Sequence, residues 1–169
     1  VLLPAWEESS TARVVPPALP RKLAKVPFVQ LADGRLQGVV SSGSDIGRVY
    51  VSAIAAGGFE FACSTNNNRP CGGAHGGYCK HLTALIAEGV VQFGGARVAR
   101  YLRVDTEAAE PDAGDIGRVM TAARPAKAES SPAAAVFARF LNHLEYLEFE
   151  ATTEPLPDMQ WFPTAGAVA

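Results

Sequence analysis

Long hydrophobic runs are missing from this chain. No apolar stretch approaches the ~20 residues that a membrane-spanning helix requires, and the opening Val-Leu-Leu-Pro-Ala-Trp-Glu-Glu lacks the basic and apolar regions of a secretory signal. The expectation is a soluble, cytoplasmic protein with no membrane partner. Cysteine is scarce too. Three in 169 residues is an odd count and too few for a secreted disulfide framework. Charge is modest, at 19% of residues with a formal net of −2, and by itself names no partner. Against these shortages stand 48% hydrophobic residues and a mean hydropathy of +0.08. That suffices to bury a core, so the chain is not disordered throughout.

The charges that are present are segregated. Residues 1–104 carry 11 Lys+Arg against 6 Asp+Glu, and residues 105–169 carry 4 against 11. A basic front half, with Arg13, Arg21, Lys22, Lys25, Arg35 and Arg48, is expected to meet an anionic surface, either the acidic second half of the same chain or a nucleic acid.

Four stretches follow from the pattern. Residues 1–25 hold Pro4, Pro16, Pro17 and Pro20 and read as an extended lead-in. From Val26 short apolar runs alternate with the turn signals Ala32-Asp33-Gly34, Ser41-Ser42-Gly43-Ser44 and Ala56-Gly57-Gly58, which predicts a small antiparallel sheet. A Gly-rich loop, Thr65 to Tyr78, then leads into a helix from Cys79 closed by Gly89, with Leu82, Leu85 and Ile86 facing the sheet. Residues 90–104 fit either strand or helix and complete a domain over 26–104. Residues 105–131 are rich in Ala, Asp, Glu and Pro and read as a linker. Ser131-Pro132 starts an amphipathic helix over 132–150 whose stripe is Phe137, Phe140, Leu141, Leu144 and Leu147. A tail with Met159, Trp161 and Phe162 follows, and residues 132–169 are expected to dock a partner protein. The fold class is therefore α+β. The pentapeptide Asp-Ile-Gly-Arg-Val occurs at 45–49 and 115–119, but its flanks differ, which argues against a duplication.

All three cysteines fall within Phe59-Glu-Phe-Ala-Cys63-Ser-Thr-Asn-Asn-Asn-Arg-Pro-Cys71-Gly-Gly-Ala-His75-Gly-Gly-Tyr-Cys79-Lys-His81. Zinc takes four Cys or His ligands in a tetrahedron, usually drawn from two places in the chain. Here a strand offers Cys63, a loop offers Cys71 and a helix start offers Cys79 and His81. The free N–H groups of a helix start favour thiolate over thiol.

This arrangement resembles the SWIM-type zinc finger: a strand, Cys-x-Cys, a variable loop, then Cys-x-His at a helix start. The matching residues are Arg48 to Ser52, the aromatic strand into Cys63, and Cys79-Lys80-His81-Leu82-Thr83-Ala84-Leu85. The likeness covers about residues 36–89, and its Cys-x-His end is the specific part. Thr65 stands where the family has its second Cys. The expected ligand set is therefore Cys63, Cys71, Cys79 and His81 around a structural zinc, with His75 the rival for the place of Cys71.

The resemblance implies an interaction module of the kind found in DNA handling and protein–protein contacts. A zinc-stabilised, non-enzymatic adaptor or subunit of a larger protein assembly is the first expectation. DNA binding through the basic half is the second, and a metal-dependent hydrolase the third. No His-Glu-x-x-His, phosphate loop, Ser/His/Asp set or small-molecule site is legible, and the acids nearest the cluster in sequence are Glu60 and Glu88.

Overall fold

A computed structural model of the protein describes residues 11–14, 24–42 and 48–147. The chain first builds a five-stranded antiparallel sheet in which sequence order is spatial order. Its strands are β1 (Thr11–Val14), β2 (Phe28–Ala32), β3 (Arg35–Ser41), β4 (Val49–Ala55) and β5 (Phe61–Thr65). Between β2 and β3, Asp33 and Gly34 both take positive φ, 55° and 67°. Two such residues make the tight hairpin turn whose twist matches that of the strands. The turn sets Leu31 opposite Leu36 and Gln30 opposite Gln37. β3 and β4 pair along their full length, from Arg35 opposite Ala55 to Ser41 opposite Val49.

Both faces of this sheet are covered, so β2 is buried at all five positions instead of alternating between core and solvent. One face contributes Val29, Leu31, Leu36, Val40, Ile54 and Phe61 to a core shared with three helices. These are α1 (Lys80–Phe93), α2 (Gly95–Leu102) and α3 (Ala113–Ala122). As expected, Leu82, Leu85 and Ile86 of α1 face the sheet and are buried. The helix does not stop at Gly89, however. Gly89 is buried within it, and a side chain there would begin 3.0 Å from Leu36 Cδ1. The glycine lets α1 approach β3 closely, and the break comes instead at Gly94, with φ of 83°. Residues 90–104 thus divide between the last turn of α1 and α2, whose Val98, Ala99 and Leu102 are buried.

Residues 105–131, expected as a linker, hold α3. Its start is a reciprocal cap: Asp115 N donates to Asp112 Oδ1 at 2.8 Å and Asp112 N donates to Asp115 Oδ2 at 3.3 Å. Ile116 and Met120, one turn apart, are completely buried. Composition misleads here because two well-placed apolar residues and a capping pair suffice to seat a short helix on an existing core. The second Asp-Ile-Gly-Arg-Val lies in α3, whereas Arg48-Val49 of the first leads into β4, so the pentapeptides occupy unlike structure.

The other sheet face is covered by α4 (Ala133–Leu147). Ala133, Val136 and Phe140 pack on Phe28, Val39, Val49 and Val51, with Phe137 and Leu144 at the margin. The rings of Phe28 and Phe140 lie 5.9 Å apart. The expected stripe therefore divides: Phe140 is buried on the chain's own sheet, Phe137 and Leu144 lie half-buried at its margin, and Leu141 is 45% exposed. Arg139 and Asp33 form an ion pair at 2.7 Å that ties α4 to the β2–β3 turn. This pair reverses the expected pattern, because the cation comes from the acidic half. No described helix is long and apolar enough to cross a membrane. The lead-in residues Arg21 and Lys22, the side chains of Arg13 and Leu147, and the tail with Met159, Trp161 and Phe162 lie outside the described residues.

Candidate metal centre

The cysteine-rich segment is positioned by the β4–β5 hairpin and by α1. Cys63 is the central residue of β5, opposite Ser52 of β4. After β5 the chain turns back on itself. Thr65 N donates to Arg69 O at 2.8 Å, and Arg69 N donates to Thr65 Oγ1 at 3.1 Å. Thr65, at the place of the missing second cysteine, is thus used to close a turn. That turn returns the chain alongside β5, where Cys71 N donates to Cys63 O at 3.0 Å. Cys71 therefore lies beside Cys63 despite the eight-residue separation. Cys79 is the N-cap of α1 and His81 its second residue. Helix geometry turns both towards the preceding loop.

The four side chains converge. Their ligand atoms all lie within 4.8 Å of one another, and all four residues are buried. The three sulfurs surround one atom, His81 Nδ1, at 3.7 Å from Cys63, 3.4 Å from Cys71 and 3.7 Å from Cys79. The cysteines are free thiols with no disulfide between them. Such a group can hold a metal ion. His75 is exposed in the glycine-rich loop and stands outside the group.

The electrostatics of the group are uneven. A hydrogen bond from Cys63 holds the Cys79 thiol well below the ordinary range, aided by His81 and by the backbone N–H groups of Leu82 and His81. The same contact, together with burial, pushes Cys63 up. Negative charge is therefore favoured at the start of α1, where the helix dipole also favours it. A bound cation would draw the remaining protons off.

Two supporting residues escaped the sequence reading. Ser52 Oγ donates to Cys63 Sγ at 3.4 Å, and Ser52 is completely buried. The Tyr50 ring stacks on the His81 imidazole, with centroids 3.8 Å apart and planes inclined by 15°. Their signal was the two-residue period of β4, which puts Tyr50 and Ser52 on the face towards α1, but only the hairpin register sets them against the cluster. The carboxylates lie elsewhere. Glu60 folds back over Gly58 in the β4–β5 turn, and Glu88 accepts a hydrogen bond from Gln92 at 2.6 Å. No family model matches this chain, and comparison with curated proteins and with solved structures gave no match either.

Proposed function

We propose that the chain is a zinc-stabilised, non-enzymatic interaction module, an adaptor or accessory subunit of a larger assembly, built on a variant SWIM-type finger in which Cys71 replaces the cysteine displaced by Thr65. The observation that carries this reading is the closure of the site, with four buried donor atoms contributed by strand, loop and helix start. A tetrahedral ion with Zn–S of about 2.3 Å and Zn–N of about 2.0–2.1 Å sets S···N edges of about 3.6 Å. The three edges here are 3.4–3.7 Å. Soft thiolates favour zinc over magnesium or calcium. Four protein ligands leave no position for water or substrate, which is the character of a structural site. Neither Glu60 nor Glu88 is among the residues whose ligand atoms gather at the cluster, which supports this reading.

The test is elemental analysis of the purified chain, followed by affinity purification from its source. One zinc per chain, lost in Cys79→Ser, and a stoichiometric protein partner are expected. A zinc-free protein, or one that stays folded after exhaustive chelation, refutes the reading.

A second reading, binding to nucleic acid, draws support from charge placement. Lys25, Arg48, Arg69 and Lys80 are exposed, and backbone bonds gather the first three at one end of the sheet. Ser41 N donates to Lys25 O, Ser42 N to Arg48 O, Asn66 N to Val49 O and Thr65 N to Arg69 O. Lys80 precedes His81, which stacks on Tyr50 near the same end. Four phosphate contacts predict a slope of about −3 in log affinity against log salt for a single strand. Fluorescence anisotropy with labelled oligonucleotides at graded salt measures it, and no binding at low salt rejects the reading.

A further inference from the structure

We infer that Tyr50 and Ser52 are the positioning residues of the metal centre: the Tyr50 ring holds the His81 imidazole so that Nδ1 is the atom that binds, and the Ser52 hydroxyl fixes the Cys63 sulfur. This deepens the metal-binding reading above and rests on it.

Nothing in the local chain orients the histidine. The terminal torsion of its side chain is broad, so the ring keeps one plane only where a neighbour imposes it. In metal sites that neighbour is usually a carboxylate or carbonyl accepting from the ring nitrogen that faces away from the ion. Here Nδ1 is the nitrogen among the sulfurs, at 3.4–3.7 Å, and no group among the described residues hydrogen-bonds Nε2. The stack takes over that part. The Tyr50 ring lies 3.8 Å from the imidazole with planes inclined by 15°, so turning the imidazole out of its plane would drive its edge into the phenol ring. Of the two ring orientations that keep this plane, one aims Nδ1 at the sulfurs and the other aims carbon Cδ2. Only the first can bind.

The serine is placed with similar economy. Cys63 of β5 stands directly opposite Ser52, and Gly38 of β3 flanks Ser52 on its other side. A Cβ at Gly38 would stand 2.9 Å from Leu85 Cδ1, so α1 presses closely on this part of the sheet. Packing there calls for a small residue, and alanine would serve without a polar atom to satisfy. A buried hydroxyl costs free energy unless it is bonded. Ser52 is completely buried, and its hydroxyl donates to Cys63 Sγ at 3.4 Å. That bond holds the sulfur on the side of His81 Nδ1. Tyr50 and Ser52 lie two residues apart in β4 and so share one face of the sheet. β4 supplies none of the four ligands and orients two of them.

Zinc affinity of the full chain, measured by competition with a chromogenic chelator, tests this together with the absorption of the cobalt(II)-substituted chain. Tyr50→Val and Ser52→Ala should each weaken zinc binding by about 10–100-fold, the usual cost of removing an orienting partner from a metal site. Tyr50→Phe keeps the ring and should stay within about twofold of the wild type. Should Tyr50→Val not fold, Tyr50→Thr serves the same purpose. In Ser52→Ala the cysteine-to-cobalt charge-transfer absorption should move to longer wavelength, because a thiolate that has lost a donated hydrogen bond gives up charge more readily. A serine that merely fills space would leave that band in place. Nitrogen–proton NMR of the zinc-loaded wild type should show His81 bound through Nδ1 with its proton on Nε2. Affinity within about twofold of the wild type in either Tyr50→Val or Ser52→Ala, an unmoved band in Ser52→Ala, or ligation through Nε2 overturns the inference and leaves the metal reading standing. A chain purified without zinc refutes the proposed function, and this inference with it.

Discussion

Both faces of the sheet are covered by apolar packing, but one of the covers includes a segment that has little to bury. Over one, α4 packs through Ala133, Val136 and Phe140 onto Phe28, Val39, Val49 and Val51, an apolar contact that needs no cross-link. Over the other, the segment between β5 and α1 has little to bury: Cys71, Ala74 and Cys79 are its buried residues, and Gly72, Gly73, His75 and Gly76 are exposed. A segment so poor in apolar side chains does not offset its ordering entropy by burial. What holds it is the convergence of four donors. Hydrophobic packing serves where the sequence is rich, and where it is poor the four donors gather in a group that can hold a metal ion.

The largest effect that would sharpen this contrast is loss of the proposed ion. Metal binding in zinc-finger peptides is worth about 10–16 kcal/mol. Cys79→Ser, or chelation of the wild type, is expected to unfold the loop from 66 to 79 and loosen the first turn of α1, whose Leu82, Leu85 and Ile86 stay packed on the sheet. Circular dichroism and amide exchange check this, with α4 amides keeping more protection than those of the first turn of α1. Equal loss on both faces would break the contrast.

Next comes the apolar face. Phe140 is 3% exposed, and Phe140→Ala should cost about 3–5 kcal/mol. Calorimetry should show the fall in stability while the metal content proposed above stays unchanged. Deletion of residues 132–169 goes further: it uncovers Phe28, Val39, Val49 and Val51 and is expected to precipitate the domain instead of merely disabling a docking helix.

The smallest effect is at the Arg139–Asp33 pair, whose side chains are 38% and 48% exposed. The Arg139 hydrogen bond holds the Asp33 carboxyl below its usual value. A depressed carboxyl stabilises the fold above its unfolded pKa, near 3.9, and the contribution disappears as pH falls through the folded value. Solvent screening limits it to about 1 kcal/mol or less. Arg139→Ala should lower stability by that amount at pH 7 and by nothing at pH 2, read from denaturant melts.

Much of the architecture was legible in the chain. Turn residues at Asp33-Gly34 and Gly57-Gly58 bracketed the strands, and the spacing of Leu82, Leu85 and Ile86 identified the inward face of α1. The four candidate ligands were legible from residue type and clustering, because few other chemistries call for three cysteines and a histidine so close together. Less legible were Gly89, where a helix-stop residue serves as a contact, and α3, where two apolar residues suffice. Local pattern reports what a segment prefers alone, and both cases depend on what lies opposite.

By itself the sequence determined the α+β class, the turns between β2 and β5 and the residue types of the cluster, since these follow from periodicity, turn residues and side-chain type within short windows. Only the tertiary structure decided that Cys71, not His75 or Thr65, stands beside Cys63. It also decided that Ser52 and Tyr50 support the cluster, and that α4 covers the sheet through Ala133, Val136 and Phe140. These outcomes depend on strand register and on the return of the loop along β5, which are set by contacts between residues distant in the chain.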